Sequence, residues 1–405
     1  MSSQLPTRGH EFLRAQVRDF AERHVVPEVA RMEQTRSVQH GLSRVLAAQG
    51  WIGVTIPRRY GGMGMDHTAK TIIIEEISRV SGAMGAMVQA SHLGVAGLIH
   101  FGNPRQRQTW LPQIASGEVL PTIAVTEPDS GGHVLGMTAT AVRDGGDYVL
   151  NGTKCHVGNS EVGDLHKVVV RTGDGSRGLS AFLVEATRPG CRLGPHRRAM
   201  GLHGFGFGHI RFEDCRVPAA NLLGNEGDGL AVALSSSLLY GRPNLAAVAL
   251  GVHRALVEAT VAYATRLYRY GRPLYEIPVV KARIGEMRSR LDVARLSLYD
   301  AVGRLDRGLP CDAQLINAKL INAEYAVDSA RAALEVHGAA GLFCDQGVER
   351  LVRDAFHILA PAGTADIQRL RLAEDTLGIG KGEWSQRFGG GAAGEQTELD
   401  VKAAF

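Results

Sequence analysis

The sequence predicts an α+β fold in which a β domain sits between two helical domains. Three observations carry this. Residues 8–120 place apolar side chains at three- and four-residue spacing, as in His10-Glu-Phe-Leu-Arg-Ala-Gln-Val-Arg-Asp-Phe-Ala-Glu-Arg, the period of an amphipathic helix. From Ile123 to about Arg216 the pattern shortens to alternating or apolar runs broken by Gly, Asp and Asn, which is the grammar of strands and turns. Residues 230–380 return to long helical periods with few breakers. A helical, then β, then helical order implies a β-barrel inserted between two helical layers.

In chain order, Pro57-Arg-Arg-Tyr-Gly-Gly-Met-Gly-Met interrupts the first helical part as a loop. A long helix from about Thr68 and a small-residue segment from Gly82 to Ile99 follow. Candidate strands are Thr138-Ala-Thr-Ala-Val, Tyr148-Val-Leu, Lys167-Val-Val-Val-Arg and Ala181-Phe-Leu-Val. The expected domains are residues 1–121, 122–229 and 230–384. A Gly-rich tail over 385–405 is expected to be disordered.

A chain of 405 residues suggests two or three packed units. The net charge of +4 comes from mixed acids and bases without a Lys/Arg run, which argues against nucleic acid as a partner. Cysteines at 155, 191, 215, 311 and 344 are scattered and odd in number. They form no disulfide framework or zinc motif, and imply a reducing, cytoplasmic location. Charges in the N-terminus argue against a signal peptide. No uncharged apolar stretch of about 18 residues is expected, hence no membrane span.

One segment is specific. Arg353-Asp-Ala-Phe-His-Ile-Leu-Ala-Pro-Ala-Gly-Thr-Ala-Asp-Ile-Gln-Arg resembles the flavin-site signature R-D-A-x-x-x-x-I-Y-E-G-T-S-E-I-Q-R of acyl-CoA dehydrogenases. Other patches resemble the same family in order: Ile123-Ala-Val-Thr-Glu-Pro-Asp-Ser-Gly-Gly-His, Asn151-Gly-Thr-Lys-Cys-His-Val-Gly-Asn, Phe212-Glu-Asp-Cys-Arg-Val-Pro, Asn221-Leu-Leu-Gly-Asn-Glu-Gly-Asp-Gly and Glu335-Val-His-Gly-Ala-Ala-Gly. The resemblance covers about residues 8–380. It implies that family's fold, with an N-terminal helical domain, a middle β-barrel and a C-terminal four-helix bundle. It also implies FAD as cofactor, an acyl thioester of coenzyme A or a carrier protein as substrate, and a homo-oligomer (dimer or tetramer).

The resemblance further assigns roles. Val125, Thr126, Gly131, Gly132, His156 and Gly158 would face the flavin, the glycines because a bare backbone approaches a ring or phosphate closely. Arg266, Arg269, Tyr270, Glu335, Val336, Gly338, Thr364 and Asp366 would serve the rest of the cofactor, partly across a subunit interface. Ala362, through its backbone N–H, with Gly363, Tyr240 and Arg242 would line the substrate site.

The departures are as informative. The loop Glu that acts as base in many members is Ala362 here, and the alternative base position, on a helix before an Arg, is Gly241. Neither can take a proton. Tyr240 is a candidate substitute acid, although its ordinary pKa of about 10 makes it a poor base. His156 replaces a Trp and could move a proton near neutral pH. Gly158 replaces a Thr, which would leave room for an oxygen adduct. His337 and His357 are weaker candidates. Pro361 restricts the backbone before it. Leu267, flanked by Arg266 and Arg269, replaces an Arg; Pro278 and Glu335 replace Gln; His203 and Phe205 replace carrier contacts. The leading reading is α,β-dehydrogenation of an acyl thioester with an atypical base. The alternatives are a flavin monooxygenase on the same fold, or a non-catalytic subunit of a heteromeric dehydrogenase.

Overall fold

The computed structural model describes residues 7–195, 197–380 and 383–388. The N-terminal part holds α1 (Arg8–Phe20), α2 (Val26–Thr35), α3 (His40–Ala47), α4 (His67–Val80), α5 (Gly82–Phe101) and α6 (Pro104–Ala115). Thr7 and Asn103 open α1 and α6 with reciprocal capping boxes, while Asp66 and Ser81 cap α4 and α5. Each side chain satisfies a backbone N–H that the helix itself leaves free.

The β part follows: β1 (Pro121–Ala124), β2 (Thr140–Asp144), β3 (Asp147–Gly158), β4 (Leu165–Arg171), β5 (Leu179–Glu185), β6 (Cys191–Leu193), β7 (Phe207–Pro218) and β8 (Leu222–Leu223). They form one sheet in the order β6-β7-β3-β2-β4-β5-β8, with β1 parallel to β4. Inward residues Leu150, Val168, Val170, Phe182, Val184, Ile210 and Phe212 build its core.

The chain then returns to helices: α7 (Gly229–Ser236), α8 (Arg242–Arg266), a short hairpin of β9 (Tyr268–Arg269) and β10 (Arg272–Pro273), α9 (Pro278–Asp306), α10 (Asp312–His337), α11 (Val348–His357), α12 (Ala365–Thr376) and α13 (Trp384–Phe388). α8, α9 and α10 pack on one another, and α4 packs across α8 and α9. Where they meet, Glu75 and Glu76 of α4 are fully buried. Arg14, Arg18, Arg254, Arg295 and Tyr299 surround them, with Tyr299 Oη 2.6 Å from Glu75 and Arg254 2.8 Å from Glu76. Burying two carboxylates is tolerable because every oxygen faces a donor.

Two expectations need correction. An uncharged apolar stretch does exist: α5 contains no Asp, Glu, Lys or Arg. Its mean hydropathy is 1.2, and 89% of its apolar window is buried. It is long and apolar because α4, α6, α8 and β1 enclose it. The second concerns the C-terminus, which does not lose order at residue 385. Trp384 and Ser385 donate backbone N–H groups to Asp312 at 2.8 Å each, and Phe388 packs on His100 and Phe101. Residues 389–405 of the expected tail lie outside the described residues.

Candidate functional site

A cavity of about 1070 Å³ opens where the three parts meet. α5 gives it Ala86, Gln89, Ala90 and Leu93, at the i, i+3, i+4, i+7 spacing of one helix face. The sheet and its loops contribute Val125, Thr126, Gly131, Gly132, His156, Gly158, Phe205 and Phe207. The helical C-terminal part contributes Gly241, Arg242 and the loop from His357 to Thr364.

Local backbone irregularities aim these residues. Between α7 and α8 the chain makes a π-helical turn over Ser237–Gly241. Pro243 follows directly and has no N–H to give. A wider turn of this kind is frequent at functional sites. On the sheet side, the β3–β7 register shifts between Lys154 and Val157, and His156 between them takes a φ of 53°. This bulge turns its ring outward, onto Phe207 at 5.6 Å.

The loop after α11 is held from three sides. Buried Lys319 donates to the carbonyls of Leu359 (2.7 Å) and Gly363 (2.9 Å). Gln368 donates to the carbonyls of Ala362 (2.9 Å) and Gly363 (3.1 Å). Its Oε1 accepts from Arg242 Nε at 2.9 Å. Held in this way, Ala362 adopts a φ of 56°, the left-handed region that costs an L-residue about 1–2 kcal/mol. Gly363 at φ 96° must be glycine: a Cβ there would lie 2.8 Å from Gln368 Nε2. Burial, and then the Arg242 charge, lower the Lys319 pKa to about 8. Burial and Arg371 lower that of Arg242 to about 10.

Gly241 and Ala362 lie face to face. A Cβ built on Gly241 would be 3.6 Å from the Ala362 Cβ and 3.4 Å from Leu93 Cδ2. Two positions 121 residues apart in sequence thus share one patch of cavity wall, and both are small and uncharged.

The structure brings together most, but not all, of the residues singled out from sequence. Val125, Thr126, Gly131, Gly132, His156, Gly158, Gly241, Arg242, Ala362, Gly363 and Thr364 line the cavity, as does His357. Burial, reinforced by His203, lowers the His357 pKa to about 4. Burial and His209 lower that of His156.

Tyr240 is a correction, since it is not among the lining residues and is fully buried. Its hydroxyl is 3.3 Å from His100 Nε2, Lys70 Nζ sits over its ring at 4.2 Å, and burial raises its pKa. The residue before Gly241 on a helix faces a different side from Gly241 itself, and here that side is the N-terminal part.

The space expected at Gly158 is a second correction. A Cβ there would meet Ala90 Cβ and Phe205 Cζ, both at 3.0 Å. The space that a side chain at 158 would first enter is already taken by Ala90 and Phe205.

Arg266, Arg269, Tyr270, Glu335, Val336, Gly338 and Asp366 do not reach the cavity of the single chain. Tyr270 is 92% exposed at the β9–β10 turn. Val336 is buried in a small separate core with Tyr263 and Leu274. His337 stacks on Tyr263 at 4.1 Å and binds the Ala333 carbonyl.

Sequence reasoning gave no role to Gln89, Phe207, Lys319 or Gln368. Gln368 stood inside the quoted Ile-Gln-Arg motif. Lys319 had no local signal, since its partners are 40 and 44 residues away.

A helical–β–helical scaffold with one large cavity at the three-way junction defines a class of enzyme in which a cofactor and substrate share an interdomain space. Family comparison matches residues 7–118, 122–215 and 227–377 to the N-terminal, middle and C-terminal domains of acyl-CoA dehydrogenase. The chain is 35% identical to an acyl-CoA dehydrogenase of Bacillus subtilis over 375 residues, covering 92% of this chain and 99% of that protein. Butyryl-CoA dehydrogenase from Megasphaera elsdenii has a similar structure: TM-score 0.90, 26% identity, 93% of this chain and 100% of the other. The FAD complex of PigA is similar too: TM-score 0.88, 26% identity, 94% and 100% coverage. The chain belongs to the acyl-CoA dehydrogenase family of flavoenzymes.

Proposed function

We propose that this chain is an FAD-dependent oxidoreductase that dehydrogenates an acyl thioester, borne by coenzyme A or a carrier protein, without the family's side-chain base. The observation that carries the reading is the cavity itself. It gathers Thr126, Gly131, Gly132, His156 and Gly158 from the sheet side opposite Gly241, Arg242 and the Ala362 loop.

The residues present fit FAD. A Cβ on Gly131 would meet nothing within 4 Å, and one on Gly132 only Ile367 at 3.9 Å. This leaves a bare-backbone cradle beside Val125 and Thr126. When bound, FAD supplies a two-electron acceptor. Arg266, Arg269, Tyr270, Glu335, Gly338 and Asp366, none of which lines this cavity, would serve the cofactor bound in a second copy of the chain, so the reading entails a homo-oligomer.

The protein's own part is positioning. The Ala362 N–H has no protein acceptor among the described residues, and the clamp of Lys319, Gln368 and Arg242 fixes where it points. A fixed donor in a water-poor site polarises a thioester carbonyl and acidifies the adjacent carbon. Ala362 and Gly241 leave both base positions without a carboxylate, so the α-proton must leave to a group outside this pair.

The test is anaerobic. The purified protein should carry stoichiometric FAD, and one member of an acyl-thioester panel should bleach it. Ala362→Glu should widen the range of simple acyl thioesters that do so. A protein that takes up no FAD would overturn the reading.

A further inference from the structure

We propose that the acyl group taken by this cavity carries its own carboxylate, bound by Arg242: the substrate is the monothioester of a dicarboxylic acid. This deepens the proposed function and rests on it.

Arg242 follows Gly241 directly and is tied through Gln368 to the Ala362 loop. Arg242 shares the cavity wall with Gly241 and Ala362, and neither of those positions supplies an acidic side chain. Arg242 forms no ion pair with any described carboxylate, and its one protein hydrogen bond goes from Nε to the neutral Gln368 amide oxygen.

Three of the cavity's carboxylates are committed elsewhere. Asp312 accepts the Trp384 and Ser385 N–H groups at 2.8 Å each. Glu383 accepts from the Ser385 hydroxyl at 2.9 Å. Glu374 pairs with Arg371 at 2.6 Å. Two further cations, Arg371 and Lys319, flank the same loop, and the low Arg242 pKa reflects burial without enough counter-charge.

A guanidinium offers five donors in a planar fork, and a carboxylate is the acceptor that matches two of them at once. Arg242 is half-buried on the cavity wall, and its remaining donors have no described protein acceptor. Arg242 lines the cavity together with Gly241 and Ala362, so a substrate carboxylate in that cavity can take up its remaining donors. An unsubstituted acyl chain would leave those donors unmet.

The experiment compares succinyl- and glutaryl-pantetheine with butyryl- and pentanoyl-pantetheine. Pantetheine is the arm common to coenzyme A and carrier proteins. Binding to the holoenzyme is measured by titration calorimetry, with the flavin chemically reduced so that no turnover occurs. The carboxylated ligands should bind at least about tenfold more tightly. Arg242→Gln should bring that ratio, measured within the variant itself, close to one, and Arg242→Lys should keep part of it. Ala362→Glu, which supplies a carboxylate from the protein, should also abolish the preference, and it carries the test if Arg242→Gln does not fold. Tight binding of both classes at a ratio near one would overturn this inference alone. So would a preference that survives in a folded Arg242→Gln protein. Failure of every thioester to bind would overturn it together with the proposed function.

Discussion

Replacing Gly158 by Thr restores the side chain that the family pattern carries, yet the structure predicts that it harms this protein. A Cβ at 158 would lie 3.0 Å from Ala90 Cβ and from Phe205 Cζ. Favourable carbon contacts lie near 3.5–4.0 Å, so both neighbours must retreat by a few tenths of an ångström. Neither can do so easily. Ala90 is fixed on the enclosed helix α5, and Phe205 is 9% exposed and stacked on Phe207 at 6.0 Å. Overpacking of this kind costs about 1–3 kcal/mol. Removing a strand glycine returns about 0.5–1 kcal/mol, which leaves a net loss of up to about 2.5 kcal/mol, about 1 kcal/mol at mid-range. The assay is urea denaturation followed by circular dichroism, comparing Gly158→Thr, Phe205→Ala and the double variant. Phe205→Ala alone should cost about 3 kcal/mol for its lost packing. The double variant should be more stable than the sum of the two losses by at least about 1 kcal/mol, since the new Thr occupies the vacated space. If Gly158→Thr is as stable as the parent with Phe205 in place, the steric argument is wrong, and the room for an oxygen adduct has to be reconsidered.

Lys70 is fully buried, 2.8 Å from His67 Nδ1, and burial lowers its pKa to about 7. The unfolded chain then binds the proton between about pH 7 and 10.5 while the folded one does not. Stability should therefore rise with pH through that window, by up to about 5 kcal/mol from this group. Lys70→Met should flatten the rise and be more stable than the parent at pH 7; a less stable variant at pH 7 would count against the argument. Lys154→Met should cost about 3–5 kcal/mol, because Glu127 would keep its buried charge without the Nζ partner now at 2.6 Å. Burial raises the Glu127 pKa, but Lys154 and the Thr138 and Ala139 N–H groups outweigh it and lower it overall. The pair's stabilisation should persist above the ordinary carboxylate range and fade as pH falls through the lowered value, a dependence absent from the variant. Urea midpoints across pH check both.

The order of helical and β parts was legible because burial imposes a period: one face every 3.6 residues in α1 and near-alternate residues in β7. The cavity was legible only where short motifs carry backbone chemistry, as at Thr126, Gly131 and Ala362-Gly-Thr. What remained hidden depends on three-dimensional neighbours. Nothing local to Gly158 says that Phe205, 47 residues on, fills its side-chain space. Tyr240 reads as adjacent to the vacant helix position, yet one residue along a helix is a rotation of about 100°, which turns it towards His100. The π-helical turn arises from Pro243 acting on carbonyls before it, so residue types alone did not reveal it. Helix α5 was misjudged as less apolar than it is, because its Ser, Gln and His residues mask a run with no charge at all.

The conformation of Ala362 bears on whether the cavity is in use. A non-glycine residue in the left-handed region is disfavoured, and glycine at that position would relieve the strain. Here the strain is maintained by Lys319, Gln368 and Arg242, whose own burial is unfavourable. A loop that had merely lost its acidic residue would gain stability by relaxing, with Lys319 and Arg242 free to turn to solvent. Strain held in place by a buried lysine and a half-buried arginine is what the proposed role of the Ala362 N–H requires. The same clamp holds the loop without a carboxylate at residue 362. Gln368 holds the loop by binding main-chain carbonyls, contacts that do not depend on whether residue 362 is Ala or Glu.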